Sequence, residues 1–340
     1  MKIQIIGSGS AGMHWLRAAS LLKKDIQIAI GDTSEQAIET LPARYQARYG
    51  EPLPDAGLSM DLMDCDYLVI ATPPASHLAI AQAALPKVRE AIVMEKPVCA
   101  PGQENALGEL VKSLGEVRAY VNYQYLLHPI MGWLRHEMPG VSDPIIAHVY
   151  WQEHLSFMER AHPWIKSSDP WYIRDVANGG GAANEHSHGL ALLINCVLAS
   201  LGSNRLMTAS SKCAQNGHDQ YSHFTLAVET PDGNYLGGGT ATLDFMSRTP
   251  IKRLEIHAPE CSAFVTWNGA EQSAEIQMGD GKVKSERMTV TREQEFLNSL
   301  RHIMDASLYE DSGISLKNVL PIQEILSGHY KDILVPKQVH

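Results

Sequence analysis

KIQIIGSGSAGMHW (residues 2–15) decides the fold. KIQIIG is an apolar run of strand length, and AGMHWLRAASLLKK (11–24) carries a helical pattern. Between them Gly7, Gly9 and Gly12 spell GxGxxG. Alone the pattern is weak; after a strand and at the opening of a helix it acquires a mechanism. Gly7 allows a tight turn, Gly9 lets a pyrophosphate approach the backbone, and Gly12 lets helix and strand pack closely. Ser8, Ser10 and Ala11 complete a loop whose free N–H groups suit phosphate. Asp32 ends the next apolar run, IQIAI (26–30), 20 residues after Gly12. A carboxylate there binds the adenosine ribose 2′-OH and repels a 2′-phosphate, which predicts NAD, with NADP disfavoured. The bland alternative is a glycine turn that binds nothing.

Outward from this loop, DYLVIAT (66–72) and AIVME (91–95) are two more apolar runs, each preceded by a helical stretch. Continuous apolar strands separated by helices predict a doubly wound parallel sheet. ATPPASH (71–77) and MEKPVCAP (94–101) follow the carboxyl ends of such strands, where open α/β sheets bind ligands. Thr72, Pro73, His77, Glu95 and Lys96 therefore join the candidate cofactor contacts. A lysine beside a nicotinamide can donate a proton; read alone, Lys96 is equally a surface lysine before a proline turn.

Near residue 120 the pattern changes. Seven segments from SKCAQ (211–215) to KVKSERMTV (282–290) follow one another between turns such as PDGN and GDGK, which reads as an antiparallel meander. TATLDF and SAFVTW place apolar residues on alternate positions that suit a homodimer or homotetramer interface. A helix over 291–306 opens on a capping pattern at Thr291, and another lies near 315–329. The expected organisation is a Rossmann domain over 1–120. An α+β domain with a large, mainly antiparallel sheet follows over 121–340, its last helices packing back.

GGGAANEHSHGLALL (179–193) contains two histidines whose meaning depends on geometry. As a helix over 182–200, at about 100° per residue, His186 and His188 lie about 160° apart. His186 then joins the side of Leu190, Leu193 and Val197, while His188 shares a small, polar face with Asn184 and Ala191. The two cannot chelate one metal, so no metal is expected. The tract HPWIKSSDPWYIRD (162–175), with Trp164, Lys166, Trp171, Tyr172 and Arg174, reads either as a substrate loop or as a loop packed on the sheet.

Taken in order, GSGSAG, Asp32, ATPPASH, EKP and GGG…SH resemble the glucose–fructose oxidoreductase / inositol dehydrogenase / MocA family. The resemblance implies a Rossmann domain, an antiparallel-sheet domain used in oligomerisation, and NAD(P)-dependent redox chemistry on sugars and cyclitols. It places Lys96 at the reacting hydroxyl and His188 opposite. Many members carry Asp four residues before that histidine; here the position is Asn184, and Glu185 is the nearest acid. Glu185 is the favoured partner of His188, with Asn184 the alternative. VNYQYLLHP (121–129) resembles a junction loop without its frequent arginine, so Asn122 and Tyr125 receive no role.

The bulk properties agree. The chain has 340 residues, 44% hydrophobic and 19% charged, with net charge −10, which argues against nucleic acid and anionic membrane partners. Five scattered cysteines without CxxC suggest reduced thiols and a cytoplasmic location. No apolar run reaches the roughly 18–20 residues of a membrane helix. The expected activity is hydride transfer between nicotinamide and a secondary alcohol or ketone of a sugar, cyclitol or derivative. Lys96, His188 and Glu185 are the catalytic candidates; Lys96, Trp171, Tyr172, Asn184 and His188 are the substrate contacts. The alternative is a catalytically inactive dinucleotide sensor on the same fold.

Overall fold

The computed structural model describes all residues except 23–24, 60, 139–143, 162–174, 199–205, 214–218, 310–311 and 335–340. Trp164, Lys166, Trp171, Tyr172 and Arg174 lie outside the described residues, as do positions 199–200 of the expected helix. The chain divides into two compact units. The first takes Met1–Gln124 and Arg292–Leu320; the second takes Tyr125–Thr291 and the chain from Pro321 on.

In the first unit the strands are β1 (Lys2–Ile6), β2 (Gln27–Gly31), β3 (Gly57–Leu58), β4 (Cys65–Ile70), β5 (Val88–Met94) and β6 (Arg118–Val121). They pair in the order β3-β2-β1-β4-β5-β6, parallel throughout. Ile3, Ile5, Leu68, Val69, Ile92 and Val93 are buried, the continuous apolar lining of a sheet covered on both faces. The helices are α1 (Ser10–Ser20), α2 (Glu35–Glu39), α3 (Leu41–Tyr49), α4 (Pro74–Ala84) and α5 (Glu104–Ser113). β1 lies between β2 and β4, so chain connections leave it in opposite directions and open a crevice at the carboxyl ends. Three loops are tied there by backbone bonds: Gly7 N–H to Gly31 O (2.7 Å), Ala71 N–H to Ile6 O (2.7 Å) and Glu95 N–H to Ile70 O (2.9 Å).

α1 buries Met13, Trp15, Leu16, Ala18 and Ala19. Trp15, 1% exposed, meets Phe296 edge to face at 5.1 Å. Burying a side chain of this size contributes about 1.5–3 kcal/mol. That contact brings a late helix, Arg292–Met304, onto α1 within the same unit.

The second unit contains α6 (Pro129–Glu137), β7 (Ile145–Gln152), α7 (Leu155–Ala161), α8 (Ala182–Glu185) and α9 (Ser187–Leu198). Then come β8 (Leu206–Cys213), β9 (Tyr221–Glu229), β10 (Tyr235–Asp244), β11 (Ile251–Ala258), β12 (Cys261–Asn268), β13 (Glu271–Met278) and β14 (Val283–Thr289). The late helix is α10 (Arg292–Met304), and α11 (Leu316–Leu334) ends the described chain. The eight strands form one sheet in the order β14-β13-β12-β11-β7-β10-β9-β8. Its pairs are antiparallel except β7 with β10.

The sheet is mainly antiparallel but is not one meander. β8–β10 and β11–β14 are two meanders joined through β7, which enters the middle of the sheet from earlier in the chain. A parallel neighbour needs a long crossover, and α7–α9 lie in the connection. IIAHVYWQ carries the period-two signal for β7: Ile145, Ala147, Val149 and Trp151 are buried, alternating with more exposed residues.

The alternating apolar residues expected to form an interface face inward instead. Ala241, Leu243, Ala263, Val265 and Trp267 are all buried, with α9 lying on β7 and β10 and α6 on β13 and β14. The residues alternating with them are mostly polar, Phe264 excepted: His148 bonds Thr240 (2.9 Å) and His223 bonds Thr242 (3.1 Å). A one-sided sheet spends its apolar alternation on its own core. Among the described residues, no helix is long and apolar enough to cross a membrane.

Candidate functional site

The glycine loop has the shape its sequence predicts. Gly7 has φ +102°, and a Cβ there would stand 2.4 Å from Ala71 O. A Cβ on Gly12 would stand 1.9 Å from Gly7 O, which only glycine avoids. Gly9 is exposed, with nothing within 4 Å of where a Cβ would be. α1 has no side-chain cap and no acid in its first turn, and its first backbone bond runs from Met13 N–H to Gly9 O (3.0 Å). Ser10, Ala11 and Gly12 thus form an uncapped first turn beside open space, which fits the pyrophosphate of a dinucleotide.

Asp32 is fastened to this loop. Its Oδ2 accepts the Ser8 N–H and the Ser8 hydroxyl, both at 2.8 Å, and its Oδ1 accepts the Ser34 N–H at 3.0 Å. Burial opposes ionisation, but these bonds and the charge of Arg44 outweigh it and hold the pKa below the ordinary carboxylate value. A carboxylate has about four acceptor positions, so Oδ1 keeps one for a ribose hydroxyl. Arg44, on α3, donates to Ser8 O (3.0 Å) and Ala37 O (2.7 Å). The sequence reading did not include Arg44; it lies 12 residues beyond Asp32 on a polar helix, with no motif to mark it.

At the second loop the Ser76 hydroxyl donates to Thr72 Oγ1 (2.8 Å), and the exposed Pro73 precedes α4. His77, expected among the cofactor contacts, is 0% exposed. Its Nε2 meets Thr72 O (2.7 Å) and its Nδ1 meets Val98 O (3.2 Å). The ring is enclosed between two backbone carbonyls, one of which takes its N–H, so it packs the second loop against the third with both nitrogens turned away from solvent. Burial pushes its pKa below the ordinary value, although the carbonyls favour the proton.

At the third loop Glu95 accepts the Trp15 indole N–H (2.7 Å) and the Asn122 amide (2.8 Å). Burial raises its pKa against these bonds and the charge of Lys96. Lys96 follows, partly exposed, before a cis peptide bond to Pro97. Asn122, fully buried, thus fixes the residue next to Lys96. The VNYQY stretch was visible in the sequence, but its partner was not.

In the second unit the expected continuous helix is two. α8 ends at Glu185, His186 leaves helical geometry (φ −93°, ψ 17°), and α9 starts at Ser187. His186 is 2% exposed and lies edge to face with Phe245 at 4.8 Å. His188 turns elsewhere, to Tyr125 (4.9 Å between ring centroids) and Trp151 (6.1 Å). Tyr125 also contacts Trp151 (4.6 Å) and Trp267 (5.8 Å), so His188 stands in an aromatic cluster and is 6% exposed. The polar, open face expected around it is thereby replaced by aromatic rings from β7, β12 and the segment before α6, which helical periodicity alone does not bring together. Asn184 is 1% exposed, and its amide donates to Gly180 O (2.8 Å). Glu185 remains partly exposed.

An uncapped helix start over an open glycine, with a carboxylate tied beside it just past the next strand, fits a dinucleotide-binding Rossmann domain. Residues 1–123 match the Gfo/Idh/MocA family model, described as "Oxidoreductase family, NAD-binding Rossmann fold". No curated protein matches the sequence. Solved structures match over nearly the whole length. UDP-N-acetylglucosamine 3-dehydrogenase GnnA from Acidithiobacillus ferrooxidans is 14% identical with a TM-score of 0.68, covering 98% of this chain and 97% of that one. KijD10, a 3-ketoreductase from Actinomadura kijaniata solved with NADP and TDP-benzene, is 14% identical with a TM-score of 0.66, covering 96% and 97%. An oxidoreductase from Agrobacterium radiobacter solved with NAD+, L-tartaric acid and magnesium is 14% identical with a TM-score of 0.68, covering 98% and 96%. At this identity the likeness carries the fold.

Proposed function

We propose that the protein is an NAD-dependent oxidoreductase acting on a secondary alcohol or ketone of a sugar, cyclitol or sugar derivative. The observation that carries this reading is Asp32, held ionised at the glycine loop with one Oδ1 position open. When bound, the nicotinamide supplies or accepts the hydride. Gly7–Gly12 hold the pyrophosphate and Asp32 takes the ribose hydroxyls. Thr72, Pro73 and Glu95 line the remaining contacts, and His77 fixes their loop from behind.

Lys96 holds the proton at the substrate oxygen and passes it as the carbon–oxygen bond order changes. Its backbone is anchored by Glu95, itself gripped by Trp15 and Asn122. His188 is the second acid/base or orienting group, with Glu185, three positions earlier in the chain, as its candidate partner. Asn184 is engaged by Gly180 and is the weaker candidate partner. The aromatic cluster of Tyr125, Trp151 and Trp267 supplies the apolar surface that sugar C–H faces prefer. The neighbours named for UDP-N-acetylglucosamine dehydrogenation and ketone reduction support the sugar-derivative class.

The test is a screen of NADH absorbance change against sugars, inositols, sugar acids and nucleotide sugars. Turnover of a member of these classes is expected. Tight NADH binding with no turnover across the panel would favour the sensor reading instead.

A further inference from the structure

The start of α8 is capped by side chains remote in sequence. The N–H groups of Ala182, Ala183 and Asn184 belong to its first turn and have no partner inside the helix. Asp219 O accepts from Ala182 N–H (2.8 Å), and Asp219 Oδ2 accepts from Ala183 N–H (2.8 Å). The Tyr330 hydroxyl accepts from Asn184 N–H (3.0 Å) and donates to the same Asp219 Oδ2 (2.6 Å). Ser222 donates to Asp219 Oδ1 (2.6 Å), and His329 holds Ser222 at 2.9 Å. Asp219 and Tyr330 are both 0% exposed. Gly181, at φ +96°, leaves room for them: a Cβ there would stand 2.8 Å from both Asp219 Oδ2 and the Tyr330 hydroxyl.

The clamp leads by backbone bonds toward His188. His186 N–H bonds to Ala182 O (2.9 Å), and Gly189 N–H bonds to His186 O (2.9 Å). A shift of the first turn therefore displaces the His186 break and the residue two places on. We infer that Asp219 and Tyr330 are positioning residues for His188, using a buried cap supplied by the segment before β9 and by α11. This rests on the proposed role of His188 only for its catalytic consequence; the geometric claim stands apart from it. Misplacement by about 1 Å costs on the order of 100-fold in a reaction that needs fixed geometry.

The test uses the full chain with histidine labelled with carbon-13 at Cε1, and His188 assigned by loss of its signal in His188→Gln. Tyr330→Phe removes one hydroxyl and keeps the ring; Asp219→Asn keeps the side-chain shape and is the second variant. Either variant that folds, by circular dichroism, is expected to move the His188 resonance and its titration, with NADH affinity within twofold of wild type. On the substrate found by the screen, kcat should fall about 10- to 100-fold with KM within a few-fold. A folded variant with a lowered melting temperature but an unmoved His188 resonance overturns the inference. If the resonance moves while His188→Gln retains full turnover, the clamp stands and the catalytic reading of His188 fails.

Discussion

His128 gives the second unit a calculable weakness toward acid. It precedes α6, its Nδ1 accepts the Ile130 N–H at 3.2 Å, and it is 2% exposed. Burial pushes its pKa from the ordinary 6.5 down to about 4. The unfolded imidazole therefore takes up a proton before the folded one does. Stability on this account is full above 6.5 and falls as pH drops toward 4. The whole difference, 6.5 less about 4, is worth about 3 kcal/mol at roughly 1.36 kcal/mol per tenfold in proton affinity. At about pH 5 the share already lost is roughly 1.36 × 1.5, or about 2 kcal/mol. His128→Asn removes the titration while leaving a side chain that caps a helix well. Any packing loss in the variant is present at both pH values and cancels in the comparison, as do His77 and His223, which titrate in both proteins. Urea unfolding at about pH 7.5 and about pH 5 should show wild type losing about 2 kcal/mol more than the variant. Equal losses in the two proteins would refute the argument that the buried ring stays neutral.

The remaining expectations concern the site. NAD(H) should bind at least about tenfold more tightly than NADP(H), about 1.4 kcal/mol, on the proposed role of Asp32 as a charged partner of the ribose; equal or reversed affinities in titration calorimetry would sink that role. Lys96→Met should keep NADH binding and lose about 10²–10⁴-fold in turnover, and activity within a few-fold of wild type would remove Lys96 from the chemistry. His188→Ala should lower activity per folded molecule strongly and, because the ring is buried against Tyr125 and Trp151, should also cost roughly 1–3 kcal/mol of stability. His186→Ala, which strips the ring from Phe245, should cost roughly 1–3 kcal/mol of stability while activity per folded molecule survives. Parallel losses of activity in both, reproduced by a chelator, would reinstate a shared metal.

What the sequence disclosed follows the range of the forces involved. The Rossmann loop is legible because the pattern of Gly7, Gly9 and Gly12 is local: a positive-φ turn, an open approach and a helix contact within a few residues, although the backbone of Ala71 also crowds Gly7. Asp32 is legible because a parallel strand of known length delivers it to the same edge. The helix carrying the two histidines is only half legible. Periodicity separates His186 from His188 correctly, yet it runs straight through a break that follows a helical turn capped by Asp219 and Tyr330, 31 and 142 residues away from His188 by numbering. The same limit hides β7. Its alternation marks a strand, but its place between β10 and β11 follows from a crossover and a parallel register that no short window contains. His77 shows how the limit bears on function. Its place after ATPPAS suggests a ligand contact, and only the carbonyls of Thr72 and Val98, brought together by two strand ends, reveal a ring used to hold one loop against another. Residues that touch ligands are thus announced by local pattern, while those that fix them in place are set by partners tens to hundreds of residues off. The labelled-histidine and His128 experiments address the second group, because no reading of motifs would have chosen Asp219, Tyr330 or His128.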